Sequence, residues 1–191
     1  MSINVISGAL LLFVHATSDG FETCGERDGI AIASRPVAGS GFVELRFTVE
    51  TQGDVETMCR AAFGSGKVEP GEPHVNLRQV IKESSDARVT YEQITPPMIS
   101  PRDYVLTSTR SHPAPGACRV DFVSSDDAPL RPGLVRLKHL AGSFLFQSLG
   151  GGRVRLEHRI HMDPGGALAP FVVEPSRERL GAEWVRRLVR L

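Results

Sequence analysis

The chain has 191 residues, of which 41% are hydrophobic and 23% are charged, as is usual for one soluble globular domain. Lysine plus arginine and aspartate plus glutamate both number 22, so the formal net charge is zero. The basic excess of nucleic-acid-binding proteins is therefore missing, and we expect no nucleic-acid partner for this domain.

The first notable segment is the nearly continuous apolar run of residues 5–16. It is shorter than the about 20 residues that a membrane-spanning helix needs. It matches the apolar part of a secretory signal peptide, with Val14-His15-Ala16 as the cleavage site, although residues 1–4 contain no lysine or arginine. The alternative is an N-terminal helix that packs on the domain. We therefore assign residues 1–20 to one of these two and residues 21–191 to the globular domain; a signal peptide predicts a secreted or periplasmic protein, and a helix predicts a cytoplasmic one.

The cysteines are Cys24, Cys59 and Cys118, and no two of them form a CxxC pair. This pattern excludes a zinc ribbon and a dense disulfide framework. We expect three free and mostly buried thiols, because free cysteine packs as a small hydrophobic residue. One disulfide bridge with one free thiol is the alternative.

Alternation of apolar and polar residues is the main structural signal in the chain. In residues 153–162, Val154, Leu156, His158 and Ile160 fall on one face of a strand and charged residues fall on the other. The same pattern predicts strands over residues 29–36, 42–50, 88–94, 103–112, 117–124 and 134–147, the last with a bend or turn at 141–143. Such alternation is typical of an antiparallel sheet with one solvated face.

Two segments have helical periodicity. Asp54 is placed to cap a short helix whose apolar stripe runs from residue 55 to residue 63. Ser176 is placed to cap a long C-terminal helix; the alternative is a start near Gly166, with interruptions at Pro170 and Pro175. Consecutive strands closed by a terminal helix indicate an α+β fold, with space for a ligand between sheet and helix.

Three short motifs give a more specific signal: residues 101–105 (PRDYV), 133–136 (GLVR) and 163–166 (DPGG). In this order and spacing they resemble the START family of lipid-transfer domains, and the segment from residue 28 to residue 41 is similar to the opening strands of its bacterial members. The resemblance implies a helix-grip fold, in which a curved antiparallel sheet wraps around a long C-terminal helix. It also implies a tunnel for a sterol, phospholipid, ceramide or similar molecule, with residues 126–133 and 166–191 as the lid.

Sterol-binding members of the family carry a buried glutamate–arginine pair in the cavity. Glu92 falls at the glutamate position, but Ser108 stands where the arginine would be. Arg110 lies on the same strand face as Ser108 and is the candidate substitute. A cholesterol ligand is therefore not carried over from the resemblance.

The candidate ligand-binding residues combine these positions with apolar ones. Arg102 and Arg136 can bind a head group or form structural ion pairs, and a buried Arg102 should have a carboxylate nearby. His158, on the apolar face of its strand, either meets the ligand or is a satisfied core histidine. The full candidate set is Glu92, Arg102, Ser108, Arg110, Arg136, Phe146, His158, Leu168, Phe171 and Val172.

We identify no catalytic residues and expect no metal or cofactor. His158 and His161 are three residues apart on a strand and point to opposite faces, and the segment 64–67 lacks the first glycine and the Ser/Thr of a phosphate loop. The predicted function is binding, transfer or sensing of a lipid-like molecule by a monomer that contacts membranes transiently. The alternatives are a polyketide aromatase/cyclase-like enzyme, which needs Glu92, His158 and Arg110 to converge, and an interaction domain with a filled cavity.

Overall fold

The computed structural model describes residues 19–97, 99–125 and 129–190. The predictions for the signal peptide or N-terminal helix fall on residues outside these ranges, as does the start of the predicted 126–133 lid loop. In chain order the elements are β1 (Glu22–Arg27), β2 (Ile30–Arg35), β3 (Glu44–Gln52), α1 (Val55–Phe63), β4 (Val75–Glu83), β5 (Ala87–Ile94), β6 (Arg102–Ala114), β7 (Ala117–Ser125), β8 (Val135–Arg136), β9 (His139–Gly150), β10 (Arg153–Asp163) and α2 (Pro170–Val189). Neither of the two helices in these ranges is long and apolar enough to cross a membrane.

The strands form one sheet in the order β1-β2-β3-β10-β9-β7-β6-β5-β4, in which neighbours are antiparallel. The short strand β8 pairs in parallel with the start of β6. Helix α2 contacts β2, β3 and β10, and α1 contacts β6, β7 and β9. The curved antiparallel sheet with its long C-terminal helix confirms the predicted α+β class and the helix-grip arrangement.

The hydrophobic core lies where α2 meets β3 and β10. Alternate residues of these strands, such as Phe47 and Leu156, are fully buried against Val185 and Leu188 of the helix. Gly181 allows this close approach, since a Cβ atom at that position would lie 2.3 Å from Cζ of Phe47. Helix α2 is thus held tightly over β3 and β10.

Strands β1 and β4 are absent from the sequence-based prediction. Both are edge strands with mostly exposed residues, and β4 has register shifts between Val75 and Leu77 and between Val80 and Lys82. Each shift moves the following side chains to the other face, so the period-two pattern is lost. The sheet therefore extends beyond β5, the last strand predicted on that side.

The bend predicted at residues 141–143 is wrong, because β9 runs through this segment without interruption. Gly142 lies at a close contact: a Cβ atom there would be 2.1 Å from the carbonyl oxygen of Arg159 and 2.6 Å from Cζ of Phe122. The predicted 134–147 strand is instead two strands, β8 and β9, and the break lies between residues 136 and 139. The glycine marks crowding within the sheet, not a turn.

The cap of the first helix is confirmed, and the cap of the second is wrong. Oδ2 of Asp54 accepts a hydrogen bond of 2.8 Å from the backbone N–H of Thr57. Helix α2 begins at Pro170, so Ser176 lies inside it. Pro170 fits the first helical position because the N–H that it lacks has no partner there, and Pro175 lies within the helix without ending it.

A disulfide joins Cys59 of α1 to Cys118 of β7, and Cys24 is free and exposed. The expectation of three free, buried thiols is therefore wrong, and the alternative of one bridge and one thiol is the observed arrangement. The bridge fastens α1 to the sheet beside the core.

Candidate ligand cavity

Two cavities lie between the sheet and α2. Their volumes are about 150 and 140 Å³. Tyr104, Leu140, Ile160 and Trp184 line both of them. The two cavities are therefore adjoining parts of one interior region, separated by these four side chains.

The first cavity is mostly apolar. Its walls come from β4, β5, β6, β9, β10, α2 and the neighbouring loops, and they include Pro96, Ile99, Leu137, Met162 and Leu180. Two buried arginines also reach it. Arg177 is neutralised by Glu174 at 2.6 Å and donates to the carbonyl oxygen of Val43 at 2.9 Å.

Arg102 is the other buried cation of the first cavity, with 3% of its surface exposed. Its Nε donates to the carbonyl oxygen of Pro164 at 3.3 Å, and its Nη1 donates to that of Ser100. Burial lowers the pKa of the Arg102 guanidinium. The carboxylate expected beside it is absent from the described ranges, where Arg102 forms no ion pair.

Arg136 forms the structural ion pair that was the alternative to head-group binding. Strand β8 places Arg136 opposite Asp103, and Nε and Nη2 of Arg136 lie 2.9 and 3.2 Å from the two carboxylate oxygens. The Tyr91 hydroxyl also donates to Asp103, at 3.0 Å. Burial opposes ionisation, but these hydrogen bonds outweigh it and the pKa of the Asp103 carboxyl falls below its usual range. The motif residues 103 and 136 thus anchor β8 to β6.

The second cavity has a polar wall built by strand register. Arg78 of β4, Glu92 of β5 and Tyr104 of β6 are successive cross-strand partners, so their side chains form one row on the inner face. Arg78 holds Glu92 through Nε–Oε1 and Nη2–Oε2 bonds of 2.8 and 3.2 Å. Tyr104 and Thr90 donate to the same carboxylate at 3.0 and 2.8 Å.

These contacts fix the ionisation of the row. Burial opposes the charge on Arg78, but hydrogen bonds to Glu92 and Glu72 outweigh it and raise the pKa of the guanidinium. Burial and the neighbouring Glu92 charge raise the pKa of Tyr104 well above its usual value, so the phenol keeps its proton and donates. The wall is a fixed set of hydrogen-bonded charges inside a largely apolar space.

Arg78 is thus the partner of Glu92, and the predicted substitute Arg110 is wrong. Arg110 instead forms an ion pair with Asp86 at 2.9 Å and packs over the ring of Phe63. It is not among the residues that line either cavity, whereas Ser108 lines the second. Arg78 is not among the predicted site residues, because the sequence analysis did not predict β4.

His158 lines the second cavity and is also a satisfied core residue. Its ring stacks on Phe144, with centroids 4.1 Å apart, and lies 5.7 Å from that of Phe47. Its Nδ1 is 3.0 Å from the carbonyl oxygen of Ser143, which can only accept, so we assign the proton to Nδ1. Burial lowers the pKa of His158 to about 4, and the imidazole is neutral near pH 7.

The remaining candidates are scattered. Val172 lines the first cavity, while Phe146 is fully buried in the core and does not line either space. Leu168 lies half-buried before α2, and Phe171, at the start of α2, is 81% exposed. Trp184, which lines both cavities, is not in the candidate set.

The START-domain family model matches residues 73–190, a range that includes the polar row and α2. The chain belongs to the START-domain family. Among solved structures, this START domain resembles a STAR-related lipid transfer protein from Xanthomonas axonopodis, with a TM-score of 0.80 and 22% identity over 90% of this chain and 98% of that one.

Two further solved structures are similar in fold to this START domain. Human StAR-related lipid transfer protein 5 aligns with a TM-score of 0.76 and 20% identity, over 91% of this chain and 86% of that one. An aromatase/cyclase from Streptomyces aligns with a TM-score of 0.54 and 14% identity, over 76% of this chain and 90% of that one. The comparison with curated proteins gave no match. At these identities the structures establish the fold of this START domain.

Proposed function

We propose that this START domain binds one hydrophobic, lipid-like molecule in the two adjoining cavities and releases it unchanged. The supporting observation is an interior region with largely apolar walls that also contains a buried polar row, formed by Arg78, Glu92 and Tyr104. Ligand sites commonly combine these features: apolar contact supplies affinity, at about 25 cal/mol per Å² buried, and a few polar groups set orientation. Several structures with the same fold are described as lipid transfer proteins.

The chemistry of the cavity favours a carrier over an enzyme. Glu92 already accepts hydrogen bonds from Arg78, Thr90 and Tyr104, and His158, with a pKa of about 4, is stacked in the core. A general acid or base works best with a pKa near the operating pH and a free path to its substrate. His158 fails the first condition, the Glu92 carboxylate has no free path to a substrate because its oxygens are already bonded, and Arg110 lies outside both cavity linings.

We also propose that the start of α2 touches a membrane during loading. Phe171 is 81% exposed, and the next residue, Val172, is 49% exposed and lines the first cavity. An exposed aromatic residue beside a cavity wall can enter the lipid surface from which the ligand comes. Phe171→Ser should slow transfer between vesicles while leaving equilibrium binding unchanged.

Extraction and mass spectrometry of the purified protein test the main proposal. We expect a stoichiometric hydrophobic molecule, recovered chemically unchanged after repeated cycles of binding and release. Ile160→Trp should abolish its retention, because Ile160 lines both cavities and a larger ring would fill them. Val123→Trp is the matched control, since Val123 is 48% exposed on the same sheet and outside both linings. Absence of any bound molecule, or equal retention by both variants, would contradict the proposal.

A further inference from the structure

Glu72 is a second buried carboxylate in the wall of the second cavity. It lies in the loop between α1 and β4, and its side chain is only 3% exposed. Its Oε1 accepts a hydrogen bond of 3.0 Å from Nη1 of Arg78, and Nη1 of Arg187 on α2 is 3.8 Å away. Its Oε2 is buried and has no hydrogen-bond partner among the described residues.

The two arginines that line the second cavity, Arg78 and Arg88, are already engaged. All three nitrogens of Arg78 donate to protein acceptors, namely Glu92, Glu72 and the carbonyl oxygen of Lys67. The nearby Arg88 donates through its own nitrogens to Glu83 and to two backbone carbonyls at the end of α1. The polar wall therefore contains one unsatisfied acceptor oxygen, because the two arginines that line the cavity are satisfied by protein acceptors.

From this imbalance we infer that the ligand carries a hydrogen-bond donor, a hydroxyl or an amine, which donates to Oε2 of Glu72. This inference rests on the proposed function and assigns the chemical class of its ligand. A buried carboxylate oxygen that has lost its hydration is unfavourable until a donor replaces the lost water. A ligand whose polar end can only accept, such as an ether or an ester, leaves Oε2 in that state.

Glu72→Gln is a sharp test because it changes the role of one atom. The amide oxygen stays on Arg78, which can only donate, so the amide nitrogen takes the position of Oε2 and presents a donor to the cavity. The variant keeps the shape of the side chain and removes the acceptor. Glu69→Gln is the matched control: it removes a carboxylate of the same loop that bonds Ser65 and does not line either cavity.

The probes are 1-decanol, decylamine and decyl methyl ether, which share one alkyl chain. The protein is equilibrated with an equimolar pair of a donor probe and the ether, desalted, and extracted, and the bound probes are quantified by mass spectrometry. In the unmodified protein we expect at least one donor probe to be enriched about tenfold over the ether, as a hydrogen bond to a charged group implies. In Glu72→Gln the ratio should fall close to one, and in Glu69→Gln it should not change.

The readout is a ratio measured on one sample, so a partly unfolded variant does not distort it. Equal retention of both donor probes and the ether by the unmodified protein would overturn this inference, while leaving lipid binding intact. A preference that persists in Glu72→Gln would also overturn it, because the donor would then bind elsewhere. Failure of the unmodified protein to retain any alkyl probe would instead count against the proposed function itself.

Discussion

Arg78 and Glu92 face each other across β4 and β5, and two hydrogen bonds of 2.8 and 3.2 Å join the guanidinium to the carboxylate. Arg78 comes from an edge strand, yet its side chain is almost buried. The pair therefore ties the edge of the sheet to the wall of the second cavity. Its removal should affect both stability and the shape of that wall.

Arg78→Met should lower the free energy of unfolding by roughly 3–5 kcal/mol, because it leaves the carboxylates of Glu92 and Glu72 buried without their cation. Urea unfolding at pH 7 measures the change. Arg155→Met is the control: Arg155 pairs with Glu50 on the surface, where solvent screens the charges, and little change is expected. Equal losses in the two variants would show that the burial of the Arg78 cluster has no energetic consequence.

His158 should make the fold less stable in acid. The folded-state pKa of about 4 lies below the ordinary value of 6.5. Between these pH values the imidazole of residue 158 is therefore protonated in the unfolded chain and neutral in the folded protein. Stability therefore falls as the pH drops from about 6.5 to 4, by up to about 3 kcal/mol. His158→Phe should reduce the difference in unfolding free energy between pH 7 and pH 4.5. The non-titrating core variant Val120→Ala should keep that difference, and an unchanged slope in His158→Phe would refute the assignment.

The disulfide between Cys59 and Cys118 spans 59 residues of sequence, so it restricts the unfolded chain strongly. Cys118→Ser should lower the free energy of unfolding by about 4 kcal/mol in the chain-entropy view. Thermal unfolding with and without reductant gives the measurement, and reduction of the unmodified protein should reproduce the variant. Cys24→Ser should leave the melting temperature unchanged, because Cys24 is exposed and outside the bridge.

Gly181→Ala should destabilise the protein, although alanine ordinarily favours a helix over glycine by about 1 kcal/mol. The new Cβ would lie 2.3 Å from Cζ of Phe47, so α2 or the ring must move, at a cost of roughly 1–3 kcal/mol. Arg179→Ala, on the exposed side of α2, is the control. Combining Gly181→Ala with Phe47→Leu should recover part of the loss, and strict additivity of the two changes would argue against the contact.

The sequence predicted the fold well where side-chain alternation was regular. β3 and β10 have uninterrupted registers along their shared edge, and their buried faces are the predicted ones. β4 was missed because two register shifts break its pattern and most of its residues are exposed. Gly142 was misread because a local pattern does not reveal that Phe122 crowds that position from another strand.

The site was predicted only in part, for a related reason. Glu92, Ser108, His158, Arg102 and Val172 do line the cavities. The partner of Glu92 could not be found from sequence, since it depends on a cross-strand register that pairs residues 14 positions apart. The role of Glu72 in the cavity wall could not be predicted either, because its burial results from the packing of a loop that has no periodic pattern.

Trp184 is the sole tryptophan of the chain, and it stands on the boundary shared by the two cavities. Its indole is therefore a built-in optical reporter of occupancy. A hydrocarbon guest beside the ring makes its surroundings less polar and moves the emission to shorter wavelength, so filling and emptying can be timed on the native, unlabelled chain.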